Sequence, residues 1–515
     1  MLSNEKTMCI ASADGKDICL VAALSNRHGL VAGATGTGKT VTVQTMVENF
    51  SALGVPVFLT DAKGDLGGLS QPGQPGGSIA ARIDELHLRD KGYANQAYPV
   101  CFWDVFGQRG HPLRSTVSSM GPLLISRLLD LTDVQSGVLH LVFRIADDNG
   151  LLLLDFKDLR SMVTYVGENS GEFRNAYGNI APASIGAIQR GLLRLEEEGG
   201  ALFFGEPSLR FEDLLLCDLK GRGMIHILQA DSLMNKPRVY AAVLLWLLSS
   251  LFEQLPEVGD MAKPRLVLMF DEAHLLFSGM PAVLREKIAQ VVRLIRSKGV
   301  GVYFITQNPA DVPGEVLTQL GNKVQHALRA FTPQDQKAVR AAAQSFRENP
   351  AFKTEEAITN LATGGALVSF LDPEGKPSMV EKAVILPPES RVGAITEAER
   401  RAVLQSSRLA GRYDTVIDRE SAYEILAAHF LQQQETAKAA SQAKEDAKRA
   451  KEEALQRKEA ERQAKREAKE HPDVMGTVVG NVSKQVARTL TTTIGREVGK
   501  SILRGVLGGF LGGRR

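Results

Sequence analysis

Cysteine is scarce in this sequence. The four cysteines, Cys9, Cys19, Cys101 and Cys217, include no CxxC pair. This spacing supports neither a disulfide framework nor a zinc site, so we interpret all four as structural thiols in a reducing compartment. The polar N-terminus also lacks the apolar core of a secretory signal.

Long hydrophobic runs are also missing. The longest apolar stretch, residues 239–252, is bounded by Arg238 and Glu253 and falls short of the roughly 20 residues that a membrane-spanning helix needs. It predicts a buried core helix instead. We therefore expect a cytoplasmic protein.

A strong excess of one charge sign is absent, since 61 basic and 59 acidic residues give a net charge of +2. Nucleic-acid binding must therefore depend on local patches rather than on the global charge. One basic and aromatic cluster, made of Trp103, Arg109, His111 and Arg114, suits a nucleic-acid backbone, but a packed domain edge explains it equally well.

With 515 residues, 44% of them apolar, the chain should fold into more than one structural unit.

The clearest motif is GATGTGKT at residues 33–40, directly after the apolar run at residues 30–32. Its spacing is that of a phosphate-binding loop, in which glycines let backbone N–H groups wrap a polyphosphate at a helix N-terminus. Lys39 is expected to reach the β- and γ-phosphates, and the Thr40 hydroxyl to hold Mg²⁺. The predicted nucleotide-binding residues are Gly33, Ala34, Thr35, Gly36, Thr37, Gly38, Lys39 and Thr40.

A second motif, RLVLMFDEAH at residues 265–274, reads as a buried strand that ends in two carboxylates. Asp271 would hold Mg²⁺, directly or through a water, and Glu272 would orient and deprotonate the attacking water. The alternative is that both residues only cap the following helix. The phosphate-binding loop favours the catalytic interpretation.

Two further strand ends carry polar residues. The strand at residues 300–306 is followed by Gln307, whose amide can hold the lytic water or sense the γ-phosphate; a simple turn before Asn308 is the alternative. The strand at residues 55–60 is followed by DAKGD at residues 61–65. Asp61 and Asp65 contact the site or, as we prefer, cap a turn.

Apolar runs that alternate with helical patterns predict an α/β fold with a mostly parallel sheet. The expected strands lie at residues 30–32, 55–60, 224–228, 266–270, 302–306 and 366–371, the last forming a hairpin with 379–386. The predicted domains are an ATPase core (1–70 and 221–390), a helical insertion (71–220), a helical connector (391–431), a charged helical spacer (432–472) and a Gly-rich basic amphipathic tail (473–515).

In this order, the motifs and the insertion between them resemble the HerA and FtsK branch of the P-loop ATPases. The segments WDVFG at 103–107, GP at 121–122 and ADDNGLLLLDFKDL at 146–159, with the basic tail, are similar to the bacterial DUF853 family of HerA-like proteins. The resemblance implies a RecA-like core that uses ATP and Mg²⁺, with ATP at a subunit boundary of a homo-oligomer, typically a hexamer.

The same resemblance implies a cation that acts on the γ-phosphate in trans. Arg329, after the strand-like residues 323–328, is the best match, and Arg293 and Arg296 are the runners-up; a surface arginine without a catalytic role is the alternative. The implied catalytic set is Lys39, Glu272, Gln307 and Arg329. Characterised HerA-type translocases carry an N-terminal β-barrel, and we expect none here because about thirty residues precede the loop.

Three functions fit this chain. The leading hypothesis is an oligomeric ATPase that moves a polymer, with DNA as that polymer. A nucleotide-gated assembly or scaffold protein is the second hypothesis, and translocation of a protein substrate is the third. Their cores would look alike, so the sequence leaves all three open.

The tail at residues 473–515 carries apolar and basic residues at four-residue steps. Self-association, attachment to an anionic membrane surface at the inner face of the membrane, docking to a protein partner and a loosely ordered tail are the competing interpretations.

We expect deletion of the residues after Asp473 to lower the mass of the protein in solution, because the tail holds subunits together. Light scattering coupled to size exclusion measures this. An unchanged oligomer would rule out self-association through the tail.

Overall fold

The structure is a computed structural model that describes residues 6–74, 76–277 and 282–470. Its described strands join in one sheet, in the order β2-β1-β12-β11-β10-β3-β9-β8-β4-β7-β5-β6. Their bounds are β1 Thr7–Ala13, β2 Lys16–Val21, β3 Gly29–Ala32, β4 Val57–Asp61, β5 Val100–Asp104, β6 His111–Pro112, β7 Ile225–Gln229, β8 Leu266–Phe270, β9 Val300–Thr306, β10 Asn322–Gln325, β11 Gly365–Ser369 and β12 Glu381–Ile385.

The described helices cover both faces of the sheet and extend beyond it. Their bounds are α1 Lys39–Ala52, α2 Gly77–Glu85, α3 Val117–Leu128, α4 Asp133–Asp148, α5 Phe156–Glu168, α6 Ser170–Tyr177, α7 Pro182–Glu197, α8 Gly200–Phe203, α9 Phe211–Leu214, α10 Pro237–Gln254, α11 His274–Phe277, α12 Ala282–Ile295, α13 Gly314–Leu317, α14 Pro333–Gln344, α15 Thr354–Asn360, α16 Glu397–Gln405 and α17 Ala422–Glu470.

Neighbouring strands from β10 through β3, β9, β8, β4, β7 and β5 to β6 all pair in parallel. The remaining strands, β11, β12, β1 and β2, extend the sheet with antiparallel pairs. The predicted α/β class with a mostly parallel sheet is therefore confirmed. Each expected strand is present, whereas β1, β2, β5 and β6 were not anticipated.

The two faces of the sheet carry separate hydrophobic clusters. Successive residues of β3 contribute to the two clusters in turn, because side chains alternate between the faces of a strand. Leu30 and Ala32 belong to the larger cluster, and Val31 belongs to the smaller one. Helix α10 lies in the larger cluster, with the side chains of residues 242–251 all buried. The prediction of a buried core helix is confirmed, and a helix that is apolar all round must be covered in this way.

The range 71–220 contains both sheet and helices. Strands β5 and β6 join the edge of the sheet, and the helical part runs from α3 to α9. Helices α3 and α4 are separated by a short turn in which Asp130 has a positive φ of 53°. The domain limits themselves stay a prediction.

The interpretation of all four cysteines as thiols is wrong for Cys9 and Cys19. They are directly opposite residues of the antiparallel pair β1 and β2, and they form a disulfide. The turn at Asp14 and Gly15 brings them together, which a ten-residue separation in sequence does not show. Cys101 and Cys217 are free thiols, and the described residues contain no group of three or more His, Cys, Asp or Glu side chains that could hold a metal ion.

Among the described residues, those from 429 onward belong to a unit separate from the one that ends at residue 428. Residues 432–466 are helical and exposed, as expected for a charged spacer. None of the helices in the described ranges is long and apolar enough to cross a bilayer. The predicted tail at residues 473–515 lies outside the described residues.

The helix that follows the phosphate-binding loop, α1, is fastened at its far end by a buried carboxylate. Glu48 accepts hydrogen bonds from the backbone N–H groups of Glu389 (2.7 Å) and Ser390 (3.0 Å) and from the Ser390 hydroxyl. Burial raises the pKa of Glu48 to about 7, although these hydrogen bonds oppose the shift.

This raised pKa predicts a pH-dependent stability. Between the ordinary value of 4.5 and about 7, the folded state holds a proton that the unfolded state has lost, so the Glu48 contribution to stability falls as the pH rises. We expect the thermal midpoint of the Glu48→Gln variant, compared with wild type at pH 5.5 and pH 8, to depend less on pH. Equal pH dependence in both proteins would contradict this.

Candidate active site

The phosphate-binding loop joins the end of β3 to the start of α1. Three of its glycines have positive φ angles, 154° at Gly33, 78° at Gly36 and 116° at Gly38. A Cβ atom at Gly33 would lie 2.5 Å from the Cβ of His326, so a larger residue there must displace the loop or β10. The predicted glycines are therefore required by the backbone itself.

Lys39 lies inside this loop. Its ammonium donates to the backbone carbonyls of Gly33 (2.5 Å) and Ala34 (3.1 Å), and the Thr37 hydroxyl also donates to Ala34 (2.7 Å). Burial, with the positive charge of Lys63, lowers the pKa of Lys39. A cation held only by neutral carbonyls is ready to exchange them for phosphate oxygens.

Asp271 follows β8 at the same edge of the sheet. Its backbone N–H donates to the Thr60 hydroxyl at 2.9 Å, which ties it to the end of β4. Burial and the neighbouring charge of Glu272 raise the pKa of Asp271 to about 7. A cation beside this carboxylate would favour its ionised form.

Glu272 has a buried carboxylate and a left-handed backbone, with φ at 47°. Its oxygens contact the Lys63 ammonium at 3.0 Å, the Gln307 amide nitrogen at 3.3 Å and His274 Nδ1 at 3.3 Å. Burial favours the protonated form, but the hydrogen bond and charge of Lys63 outweigh it and lower the pKa of Glu272. Gln307 therefore lies beside Glu272, and its role toward the attacking water or the γ-phosphate stays a prediction.

The turn after β4 reaches the same edge. Asp61 is buried and caps the turn, accepting the backbone N–H groups of Gly64 (2.7 Å) and Leu66 (3.2 Å), with longer bonds from residues 63 and 65. Asp65 instead contacts the site, because it accepts a hydrogen bond of 3.4 Å from the Thr40 hydroxyl.

A cleft of about 280 Å³ opens between these elements. Among its lining side chains are Lys39, Thr40, Lys63, Asp65 and Asp271. Lys63 was missed as a site residue, although it stands in the DAKGD motif. The available signal was the position of this lysine between Asp61 and Asp65, in a turn predicted to lie at the same edge of the sheet as the phosphate-binding loop.

Arg329 is exposed and lines a second cleft together with Ala34, Thr35 and Gln307 of its own chain. Thr35 also lines the first cleft, so the two adjoin. Arg293 and Arg296 are exposed at the end of α12 and just after it. Which arginine acts on a γ-phosphate stays a prediction.

The aromatic and basic cluster around Trp103 is a packed edge of the domain. Trp103 is fully buried and donates to His226 Nδ1 at 3.1 Å, and His111 is buried beside Asp414. Arg109 pairs with Asp231 at 2.7 Å. These contacts leave the indole and imidazole rings no access to a nucleic-acid backbone.

A family model described as helicase HerA-like C-terminal matches residues 6–515. A comparison with curated proteins gave no match. Among solved structures, VirB4 of Thermoanaerobacter pseudethanolicus is 16% identical, with 74% of this chain and 97% of that chain covered and a TM-score of 0.48. The bacterial conjugative coupling protein TrwBdeltaN70 is 16% identical, with coverages of 77% and 92% and a TM-score of 0.49. TrwB in complex with ADP and Mg²⁺ is 17% identical, with coverages of 76% and 97% and a TM-score of 0.48.

We expect Gly33→Ala to lower the affinity for a fluorescent ATP analogue by at least about tenfold, because the added methyl group displaces backbone N–H groups that contact phosphate. Gly314→Ala is the matched control, since a Cβ there meets no atom within 4 Å. Equal affinities in the two variants would show that the loop tolerates the clash.

Proposed function

The chain belongs to the helicase HerA-like C-terminal family, and from that premise we propose that it is an oligomeric ATPase that couples ATP hydrolysis to movement of DNA. The observation that carries this proposal is the meeting of the phosphate-binding loop with Asp271, Glu272 and Gln307 at one edge of the sheet. A loop alone binds nucleotide, but a carboxylate next to it is what hydrolysis requires.

The side chains around Thr40 and Asp271 fit Mg²⁺. A hydroxyl and a nearly buried carboxylate whose pKa is raised by burial are hard oxygen ligands of the kind that this ion prefers. When bound, Mg²⁺ would neutralise charge on the phosphates of ATP. Asp65, hydrogen-bonded to Thr40 at 3.4 Å, would support the same hydroxyl.

In the proposed reaction, Lys39 exchanges its carbonyl partners for phosphate oxygens. A water held by Gln307 attacks the γ-phosphorus, and Glu272 accepts its proton at a carboxylate oxygen. As the new bond between oxygen and phosphorus forms, the bond between the γ-phosphorus and the bridging oxygen breaks, and ADP leaves with the electron pair. Each of these groups lies at the end of a neighbouring parallel strand or on the loop.

We further propose a homo-oligomer, with a hexamer as the ring that the family implies, and Arg329 as the cation that completes the site. Its exposure, and its place in a cleft that contains Thr35 and Gln307, support a role at the γ-phosphate end of the nucleotide. Arg293 and Arg296 remain the alternatives. We propose a cytoplasmic location, with the tail contacting another copy, a protein partner or the inner face of the membrane.

A nucleotide-gated scaffold is the second candidate. Its support is that three side chains already contact the Glu272 carboxylate. Because these contacts compete with a water for the carboxylate, they predict slow basal turnover. Translocation of a protein substrate would use the same site and differs only in the polymer.

The test is steady-state ATP hydrolysis with and without double-stranded DNA. We expect DNA to stimulate turnover, Lys39→Ala to abolish it and Glu272→Gln to reduce kcat by at least about a hundredfold, the usual contribution of a general base. Arg329→Ala should bind ATP but fail to hydrolyse it.

Lys91→Ala is a suitable control because Lys91 pairs with Asp17 on the surface. Turnover that ignores DNA would move the proposal to a protein substrate or a scaffold. Unchanged turnover in Glu272→Gln would remove Glu272 as the base.

A further inference from the structure

The pair between Lys63 and Glu272 has no part in the reaction as described above. Their charged atoms lie 3.0 Å apart, and the Glu272 side chain is 5% exposed whereas that of Lys63 is 42% exposed. The pair joins the turn after β4 to the residue proposed as general base. While it is formed, Lys63 occupies an acceptor position on the Glu272 carboxylate that another donor would otherwise use.

The donors around Glu272 leave its carboxylate little capacity for a water. Oε1 contacts the Lys63 ammonium and the Gln307 amide, and Oε2 contacts the same amide and His274. An ionised carboxylate offers about four acceptor positions, and here three side chains share them, with the Gln307 amide spanning both oxygens. The Lys63 ammonium makes the shortest of these contacts and takes a position on Oε1 that the attacking water needs.

Lys63 is also the member of this group that can move. Its ammonium is partly exposed and lines the same cleft as Lys39, Thr40 and Asp271. The backbone beneath it is held by the Asp61 cap, so motion is confined to a flexible four-carbon side chain. Gln307 and His274 would still hold Glu272 after Lys63 leaves.

We propose that Lys63 is an ATP-responsive latch, which pairs with Glu272 when the γ-phosphate is absent and transfers to the γ-phosphate when ATP binds. The transfer frees Glu272 Oε1 to accept a proton from the attacking water. The inference rests on the proposed ATPase function and adds a control over when the base becomes available.

The direction of the exchange follows from charge. A γ-phosphate carries more negative charge than one carboxylate and offers three terminal oxygens, and it would enter the cleft that the Lys63 ammonium already faces. ADP lacks this group, so Lys63 has no competing partner at that position and stays with Glu272. The latch therefore distinguishes ATP from ADP, and it suppresses base action when ADP is bound and when the site is empty.

The first test compares the affinities of the full-length protein for ADP and for a non-hydrolysable ATP analogue, with Mg²⁺ present. We expect Lys63→Met to weaken binding of the analogue by about tenfold, the ratio that corresponds to a lost charge-assisted hydrogen bond of about 1.4 kcal/mol. Affinity for ADP should change by less than about twofold. Lys63→Arg should retain most of the discrimination because it keeps the cation.

Lys91→Met is the matched control. Lys91 also forms a 3.0 Å pair with an aspartate, and its side chain is 35% exposed, but it does not line the nucleotide cleft. Removal of Lys63 also leaves the Glu272 charge without its lysine, and that charge repels phosphate. Comparison of the double variant Lys63→Met/Glu272→Gln with the single variant Glu272→Gln separates this repulsion from the loss of a phosphate contact. A loss that persists in the double variant supports the latch, and one that vanishes contradicts it.

The second test is direct and needs no variant. Structures of the wild-type protein with Mg²⁺ and ADP, and with Mg²⁺ and the ATP analogue, should show the Lys63–Glu272 pair only with ADP. A pair retained with the analogue overturns the latch while leaving the ATPase proposal intact. Wild-type protein that binds neither nucleotide overturns both.

Discussion

Parallel pairing of four neighbouring strands is the constraint on which the site depends. Ala32 lies opposite Thr306, and Phe270 lies opposite both Phe304 and Thr60. Because parallel strands end at one edge of a sheet, the residues that follow each strand must meet there. The phosphate-binding loop, Gln307, Asp271 with Glu272, and the turn that carries Lys63 are brought together by this register alone.

The loop is also supported by residues that follow β10, the strand that pairs with β3 on the side opposite to β9. His326, just after β10, places Nε2 2.7 Å from the Thr42 hydroxyl and donates from Nδ1 to the Gly365 carbonyl at 2.9 Å. Burial lowers the pKa of His326 to about 4, so the ring is neutral near pH 7. The backbone N–H of Gly364 donates to the Thr37 backbone carbonyl at 2.9 Å. These contacts hold the loop open without adding charge to it.

The charges around Asp271 and Glu272 explain why the pKa values of these two neighbouring carboxyl groups shift in opposite directions. Asp271 and Glu272 are adjacent carboxylates in a poorly solvated place, and only Glu272 has a lysine at hydrogen-bond distance. One pKa is raised and the other lowered as a result. The left-handed φ of Glu272 is a conformation that costs a non-glycine residue about 1–3 kcal/mol, which is typical of a side chain held in place for function.

The sequence by itself determined the α/β class, the core strands, the buried helix α10 and the residues of the loop and the two strand ends, because each depends on local spacing of apolar, glycine and acidic residues. Only the tertiary structure decided that Cys9 faces Cys19, that Trp103 is buried and that Lys63 holds Glu272. Each of these outcomes depends on contacts between residues that lie in, or just after, different strands, and so on strand register and side-chain direction. A one-residue shift in pairing would break such a contact and would leave every local pattern of the sequence unchanged.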